Sequence, residues 1–282
     1  IFAIVRPSTY INSNANIIDI TYNITENDLA YVERVIVQGN LRTKDKVIRR
    51  EVLLRPLEPF DGKKLKRTRE KLFQLNYFED VSFETAQGTK DNYQDLIVNV
   101  KEKKTGEFSF GGGYSSLDGM IGFVELAQNN FDILNFPSFI GGGQHLRLRT
   151  ELGAHKKSYE IGFTEPWLFD RPLSFGFDIY NREWERSDYD EIRKGYDLRL
   201  GHPLAQDNYV SVMFKQEQVD INITDAVNVN TEISSEQGEK VIHSLTYAFT
   251  RDTRDSFQLT TDGYKLLFSI EQSGGVIGGD ID

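Results

Sequence analysis

The sequence predicts a mixed α+β unit followed by a large antiparallel β-sheet of the kind that crosses a membrane as a barrel. Three observations predict it. From Gly106 onward apolar and polar residues alternate with period two through about nine segments, as strands with one oily and one wet face do. Before Gly106 the order reads strand, helix, helix, strand, strand. No stretch approaches the ~20 consecutive apolar residues of a membrane helix, whereas a membrane strand needs only ~9–11 alternating ones and leaves average hydropathy low.

Composition sets the outer limits. The 282 residues allow about two domains, and 39% apolar with 27% charged residues is ordinary for folded protein. An aromatic share of 12% fits a barrel without requiring one. Zero cysteine excludes disulfides, thiolate metal sites and a cysteine nucleophile. No basic and apolar leader opens the chain and Ile1 starts mid-pattern, so the sequence reads as a piece of a longer protein. The net charge of -10 is uneven: residues 31–105 carry 17 Lys and Arg against 12 Asp and Glu, residues 106–282 carry 15 against 28. Two domains with different solvated faces give such asymmetry, and so does a basic module held near anionic headgroups or acidic partners. The acidic second half argues against nucleic acid, whose phosphates demand the opposite sign.

Residues 1–29 hold one clear strand, Ile17 to Ile24, in which Ile18, Ile20 and Tyr22 alternate with Asp19, Thr21 and Asn23. It has no evident partner and reads as the end of a preceding domain. Tyr31 to Gln38 is β-rich and ends at the turn pair Gly39-Asn40. Thr43 is placed to cap a helix carrying Val47, Ile48, Val52 and Leu53 that stops before Pro56. Asp61 is placed to cap a second, basic helix in which Leu65, Leu72 and Phe73 share a face. Strands at Val81 to Thr85 and Leu96 to Val100 follow, joined by a polar turn at Gly88 to Asn92. This order, with V-x-G-N at Val37 to Asn40, R-R-E at Arg49 to Glu51 and L-x-x-L-N-Y-F-E-D-V at Leu72 to Val81, resembles a POTRA domain over residues 30–105. The resemblance implies a periplasmic module that docks partners by adding a strand to its sheet edge. Tyr77 and Phe78 also have a plainer reading, as core residues.

The second half opens with G-E-F-S-F-G-G-G-Y-S-S, where Phe108, Phe110 and Tyr114 oppose Glu107, Ser109, Gly111 and Gly113. Each glycine weakens a strand by roughly 0.5–1 kcal/mol relative to alanine. The alternation continues at Leu146 to Leu152, Tyr159 to Phe163, Leu173 to Ile179, Tyr196 to Leu200, Val210 to Phe214, Leu245 to Phe249 and Tyr264 to Ile270; only Met120 to Asn129 is ambiguous in phase. Short links such as Ala154 to Lys157 and longer polar ones such as Asp220 to Glu239 read as the alternating turns and loops of an outer-membrane barrel. Trp167, Phe169, Tyr180, Trp184 and Tyr209 lie near strand ends, where an aromatic girdle would place Trp167, Phe169 and Trp184 as interface anchors. A soluble β-sandwich shares the alternation; the strand count and the aromatic ends favour the barrel.

Three motifs sharpen this. The glycine-rich strand, F-T-E-P-W-L-F-D-R-P at Phe163 to Pro172, and D-T-R-D with T-x-G at Asp252 to Asp255 and Thr261 to Gly263 resemble the BamA-like family of outer-membrane protein assembly factors. With the POTRA segment the resemblance spans nearly the whole chain, which would make residues 1–29 the end of a preceding POTRA domain and residues 106–282 the amino-terminal part of a barrel of roughly sixteen strands. Asn130 to Gly143 departs from the short turn expected there, and the family's pore-loop R-G-F motif is expected beyond residue 282, no Arg-Gly pair occurring within these residues. The resemblance implies a Gram-negative outer-membrane location with the POTRA domain in the periplasm. Its partners would be unfolded outer-membrane proteins, accessory assembly lipoproteins bound through the POTRA domain, and the bilayer, as in a BAM complex.

A closed barrel has no edge, so its seam is where a new strand can be added. The resemblance implies that the first strand parts from the last like a lateral gate and lends its main chain to a client strand. The backbone of Phe108, Ser109, Phe110, Gly111, Gly112, Gly113 and Tyr114 is the candidate pairing site, with the three aromatics toward lipid. A kink that relieves barrel curvature is the other reading of the glycines. Asp252, Arg254 and Asp255 read as a lumenal or rim charge network, and Glu165-Pro166-Trp167 as an architectural turn. A POTRA-barrel transporter of the two-partner secretion type shares every feature so far. An outer-membrane barrel enzyme is the third class, but His145, His155, His202 and His243 are scattered, with neither H-E-x-x-H nor G-x-S-x-G. No catalytic residue, metal site or cofactor is expected.

Overall fold

A computed structural model describes residues 3–12, 17–26, 29–205, 207–225, 229–254 and 260–280. The chain divides into two units between Lys104 and Thr105. The first begins with an antiparallel hairpin, β1 (Ala3–Asn12) on β2 (Ile17–Glu26). The strand at Ile17 therefore has its partner in β1. Pro7, which lacks a donor and faces Tyr22 in the register, breaks the strand pattern of that segment in the sequence.

Residues 30–104 form a three-stranded sheet ordered β3 (Tyr31–Gln38), β5 (Tyr93–Glu102), β4 (Phe78–Gln87), with β3 parallel and β4 antiparallel to the central strand. Helices α1 (Asp45–Arg49) and α2 (Gly62–Gln74) supply the rest of its core. Leu96, Val98 and Val100 alternate inward from β5 onto Val47, Ile48, Leu54, Leu72, Tyr77 and Phe78, all buried. Asp61 caps α2, its carboxylate accepting from the Lys63 amide at 2.8 Å.

Two expectations need correcting. The position before α1 is Lys44, one residue beyond Thr43, whose amide donates to Glu102 Oε1 at 2.6 Å while the Arg42 amide donates to Oε2 at 2.9 Å. α1 is correspondingly short, and Val52 and Leu54 reach the core from irregular chain, with Leu53 only half-buried. Phe73 is exposed, because Thr68 and Leu72 mark the buried stripe and residue 73 lies about 100° round from 72.

The family-like motifs have local causes. Gly39 is left-handed, and a Cβ there would strike the Val100 carbonyl. Asn76, also left-handed, ends α2, as asparagine does at low strain. Tyr77 and Phe78 then turn into the core at 1% and 3% exposure, so their plainer reading holds.

The second unit is a nine-stranded antiparallel meander, each strand paired with its sequence neighbour. Its strands are β6 (Gly106–Ser115), β7 (Gly119–Phe131), β8 (Gln144–Gly153), β9 (Lys156–Glu165), β10 (Ser174–Glu185), β11 (Tyr189–Ala205), β12 (Asn208–Ile223), β13 (Gly238–Asp252) and β14 (Lys265–Ser273). A short helix, α3 (Thr231–Ser235), interrupts the β12–β13 connection. The register carries one apolar row across seven strands: Phe108, Leu126, Leu148, Ile161, Ile179, Tyr196 and, polar at its end, Gln216. The row also settles the phase of β7. On the opposite face charges pair across strands, Arg149 with Glu125 at 3.1 Å, Arg147 with Glu160 at 2.5 Å and Arg199 with Asp178.

Connection lengths do not sort by end as expected. In a meander the links at 154–155 and 224–237 share an end, so the two sequence examples of short and long lie together. At the other end, where β6 begins, the connections run over 132–143, 166–173, 206–207 and 253–264.

Candidate functional site

Among the described residues β6 has a neighbour on one side only. It pairs with β7 in unbroken register from Gly106↔Gln128 to Ser115↔Gly119, so no bulge occurs at its glycines. In an antiparallel strand alternate residues turn their N–H and C=O groups to either side. Half of this strand's backbone groups therefore point along the free edge.

Both ends of β6 are held, one by β7 and the other by the turn that leads into it. Asn129 donates its amide to the Thr105 carbonyl at 3.0 Å and its side chain to Glu107 Oε1 at 2.8 Å. At the far end Ser115 Oγ accepts from the Leu117 and Asp118 amides at 3.2 and 3.3 Å, and Asp118 holds Arg186 at 2.7 Å. Between these ties Phe108, Phe110 and Tyr114 stand on the apolar face, all exposed, with the first two rings 5.8 Å apart.

The three glycines have separate reasons. None is left-handed, so backbone conformation demands glycine at none of them. Gly111 seats the ring of Phe123, which would lie 2.8 Å from an added Cβ. Gly112 faces Gly122 and would place a Cβ 3.1 Å from the Ile121 carbonyl, while Gly113 opens onto free space. A cross-strand pair with glycine forgoes the roughly 0.2–1 kcal/mol that a side-chain pair contributes.

The ring-over-glycine arrangement recurs on the charged face. Tyr180 lies over Gly195 and Tyr209 over Gly201. Tyr180 donates its hydroxyl to Glu217 at 2.7 Å, and the Tyr209 hydroxyl is 2.6 Å from Ser174 Oγ. This corrects the girdle reading: Tyr180, Tyr209 and Trp184 belong to the charged face. Trp184 shares its parity with Asp178 and Arg182 and lies 5.9 Å from the Arg193 guanidinium. A lipid anchor would need the opposite face.

Phe169 is exposed and Trp167 half-buried in the 166–173 connection. The turn there is built by Glu165, which accepts from the Trp167 amide at 2.9 Å and from Gln144 Nε2 at 2.8 Å. Asp252 and Arg254 form a bidentate pair at 2.7 and 2.8 Å, and Gly263 is glycine because a Cβ would strike the Thr253 backbone. Asp255 lies outside the described residues. The larger charge system was only partly visible in sequence: Arg147, Arg149, Glu151, Glu160 and Asp178 show in the alternation, while Arg182, Arg193 and Glu217 join through register.

No helix of the described residues is long and apolar enough to cross a membrane. The model of the Omp85 superfamily domain matches residues 138–282, and a POTRA model, described as a surface antigen variable number repeat, matches residues 30–103. An outer membrane protein assembly factor BamA of Nitratidesulfovibrio vulgaris is 31% identical over 100% of this chain and 34% of its own length. A BamA of Neorickettsia risticii is 25% identical over 99% of this chain and 37% of itself. Among solved structures, BamA from Haemophilus ducreyi lacking POTRA domains 1-3 superposes with a TM-score of 0.69 at 19% identity, covering 99% of this chain and 54% of that one. CdiB from Escherichia coli gives 0.58 at 10% identity over 98% of this chain and 51% of that one. The chain thus spans about a third of the length of these two curated relatives.

Proposed function

The chain belongs to the Omp85 superfamily, and from that premise we propose that it works as an outer-membrane barrel-assembly factor, templating client strands on the free edge of β6. In this reading residues 1–29 close a preceding POTRA domain, residues 30–105 are a periplasmic POTRA domain that meets accessory lipoproteins, and residues 106–282 are the amino-terminal part of a transmembrane barrel. The observation that carries the reading is β6 itself: the first strand of the sheet, held at both ends and without side chains from Gly111 to Gly113. Main-chain pairing is indifferent to client side chains, so one edge serves many unfolded outer-membrane proteins. Phe108, Phe110 and Tyr114 keep the lipid side of the growing sheet apolar. Phe169 and Trp167 anchor one rim, and the Asp252–Arg254 pair braces it. No step of this work is a chemical reaction, and no residue is given a catalytic role.

The test is crosslinking in cells from single cysteines at Ser109→Cys and Tyr114→Cys of the full-length protein. Adducts with strands of many barrel proteins are expected. Adducts confined to one soluble passenger would replace assembly with secretion by a POTRA-barrel transporter.

A further inference from the structure

Resting on the reading of β6–β14 as membrane-spanning strands, we infer that the β7–β8 connection, residues 132–143, is a membrane-contact site. It lies in the headgroup and outer acyl layer of the leaflet at the end where β6 begins. The occupant of its apolar surface is lipid.

The route to that surface starts in β7. Gln128 faces Leu146 but Phe131 faces Gln144, so β7 holds one residue more than β8 over this step. This bulge turns Phe131 from the charged face to the apolar one. Its ring then meets Phe163 edge-on at 6.3 Å, and Phe163 lies 5.5 Å from Phe177 within the apolar band. On the other side Phe131 stacks on Phe139 at 5.8 Å, and Phe139 meets Phe136 at 5.6 Å. An unbroken line of rings therefore runs from the strands into the connection. At its end Leu134 is 85% and Phe136 79% exposed, with Ile133 exposed beside them.

The backbone of the connection is bonded from within. The Asp132, Asn135, Phe139 and Gly141 amides donate to the carbonyls of Phe139, Asp132, Asn135 and Asn130. Side chains take more: Ile133 N–H to Gln144, Leu134 N–H to Asp132, Gly143 N–H to the buried Asn130. Asn135 donates its own side chain to the Ile140 carbonyl at 2.7 Å. A loop that enters lipid must satisfy its polar groups internally, and these bonds serve that need. The connection contains no lysine or arginine, and its one carboxylate, Asp132, is buried. Nothing charged is offered to a protein partner, and continuity with the apolar band offers the surface to lipid.

Spin labels on single cysteines test this in the full-length protein, on a background with no other cysteine, in vesicles of phosphatidylethanolamine and phosphatidylglycerol. Labels at Leu134→Cys and Phe136→Cys are compared with Leu148→Cys on the apolar face of β8 and Glu232→Cys in α3. Collision rates with oxygen and with a water-soluble nickel chelate report the surroundings. The oxygen-to-nickel ratio at 134 and 136 is expected several-fold above that at 232 and close to that at 148. A ratio matching position 232, or shielding from both reagents as under a protein partner, would overturn the inference while leaving the strands in the membrane. Water-like behaviour at 148 as well would remove the membrane-spanning premise and the inference with it.

Discussion

Val98 in β5 and Phe110 in β6 occupy the same kind of position, an apolar residue on one face of an alternating strand, yet Val98 is 0% and Phe110 75% exposed. The contrast holds for the two units at large. Every buried apolar side chain among the described residues lies within residues 30–104, except Tyr180 and Val219. The POTRA sheet closes its oily face with two helices; the nine-stranded sheet leaves its own open and keeps its ion pairs on the other side. Period-two patterning thus specifies a strand with two unlike faces, and what covers the apolar one, protein or lipid, is decided by the elements that follow it. Here α1 and α2 pack on the sheet of one unit, whereas among the described residues α3 of the other lies in the β12–β13 connection.

The comparison breaks most readily at its cores. Leu72→Ala removes a fully buried side chain between α2 and the sheet and is expected to lower the stability of residues 30–104 by about 2–5 kcal/mol. Hydrogen exchange of the β5 amides in the whole protein measures it, and unchanged exchange in β8 to β13 would show the two units to be energetically separate. The corresponding change on the sheet is Leu198→Arg, in mid-band between Phe177 and Phe214. In vesicles it should cost about 2–4 kcal/mol, as a charge at the bilayer midplane does, read from urea titrations of the folded full-length protein. A neutral result would mean that the face meets water.

The glycines of β6 sharpen the contrast within one strand. Gly111→Val must displace the Phe123 ring and is expected to cost about 1–3 kcal/mol by overpacking. Gly113→Val meets open space and should instead firm the strand by roughly the 0.5–1 kcal/mol that glycine forfeits. If looseness serves strand exchange, Gly113→Val is the variant that is more stable and slower at inserting clients. Equal insertion rates for wild type and Gly113→Val would leave Gly111 as a ring seat and nothing more.

How far the sequence carried depended on whether a feature was local. Alternation, the Asp61 cap and the G-N and N-Y-F turns are set by neighbours in the chain, and all were legible. Trp184 was misread because its position near a strand end is local, but its face follows from the parity of β10 against β11. The Phe123 seat on Gly111 is a property of two strands in register, invisible in either alone. Phe131 could not be placed for a third reason: a bulge inverts the face of everything beyond it, so alternation along β7 does not carry through to residue 131.

The smallest expected effect concerns a charge in the POTRA unit. Arg34 donates to Asp95 through two nitrogens, at 2.6 and 3.1 Å, with the carboxylate buried and the guanidinium largely in water. The hydrogen bonds from Arg34 hold the Asp95 carboxyl below its ordinary pKa, against the opposing effect of burial. A carboxyl whose pKa is lowered by folding adds stability above its unfolded value, about 3.9, and loses it as pH falls through the folded one. Asp95→Asn should therefore flatten the acid limb of a urea-midpoint profile below about pH 4 and leave its neutral-to-alkaline course parallel to wild type. Solvent screening of Arg34 keeps the effect modest, and added salt should shrink it further. An acid limb unchanged in the variant would assign acid sensitivity to other carboxylates, Glu58 first, since Lys64 donates to it at 2.7 Å and draws its pKa down in the same direction.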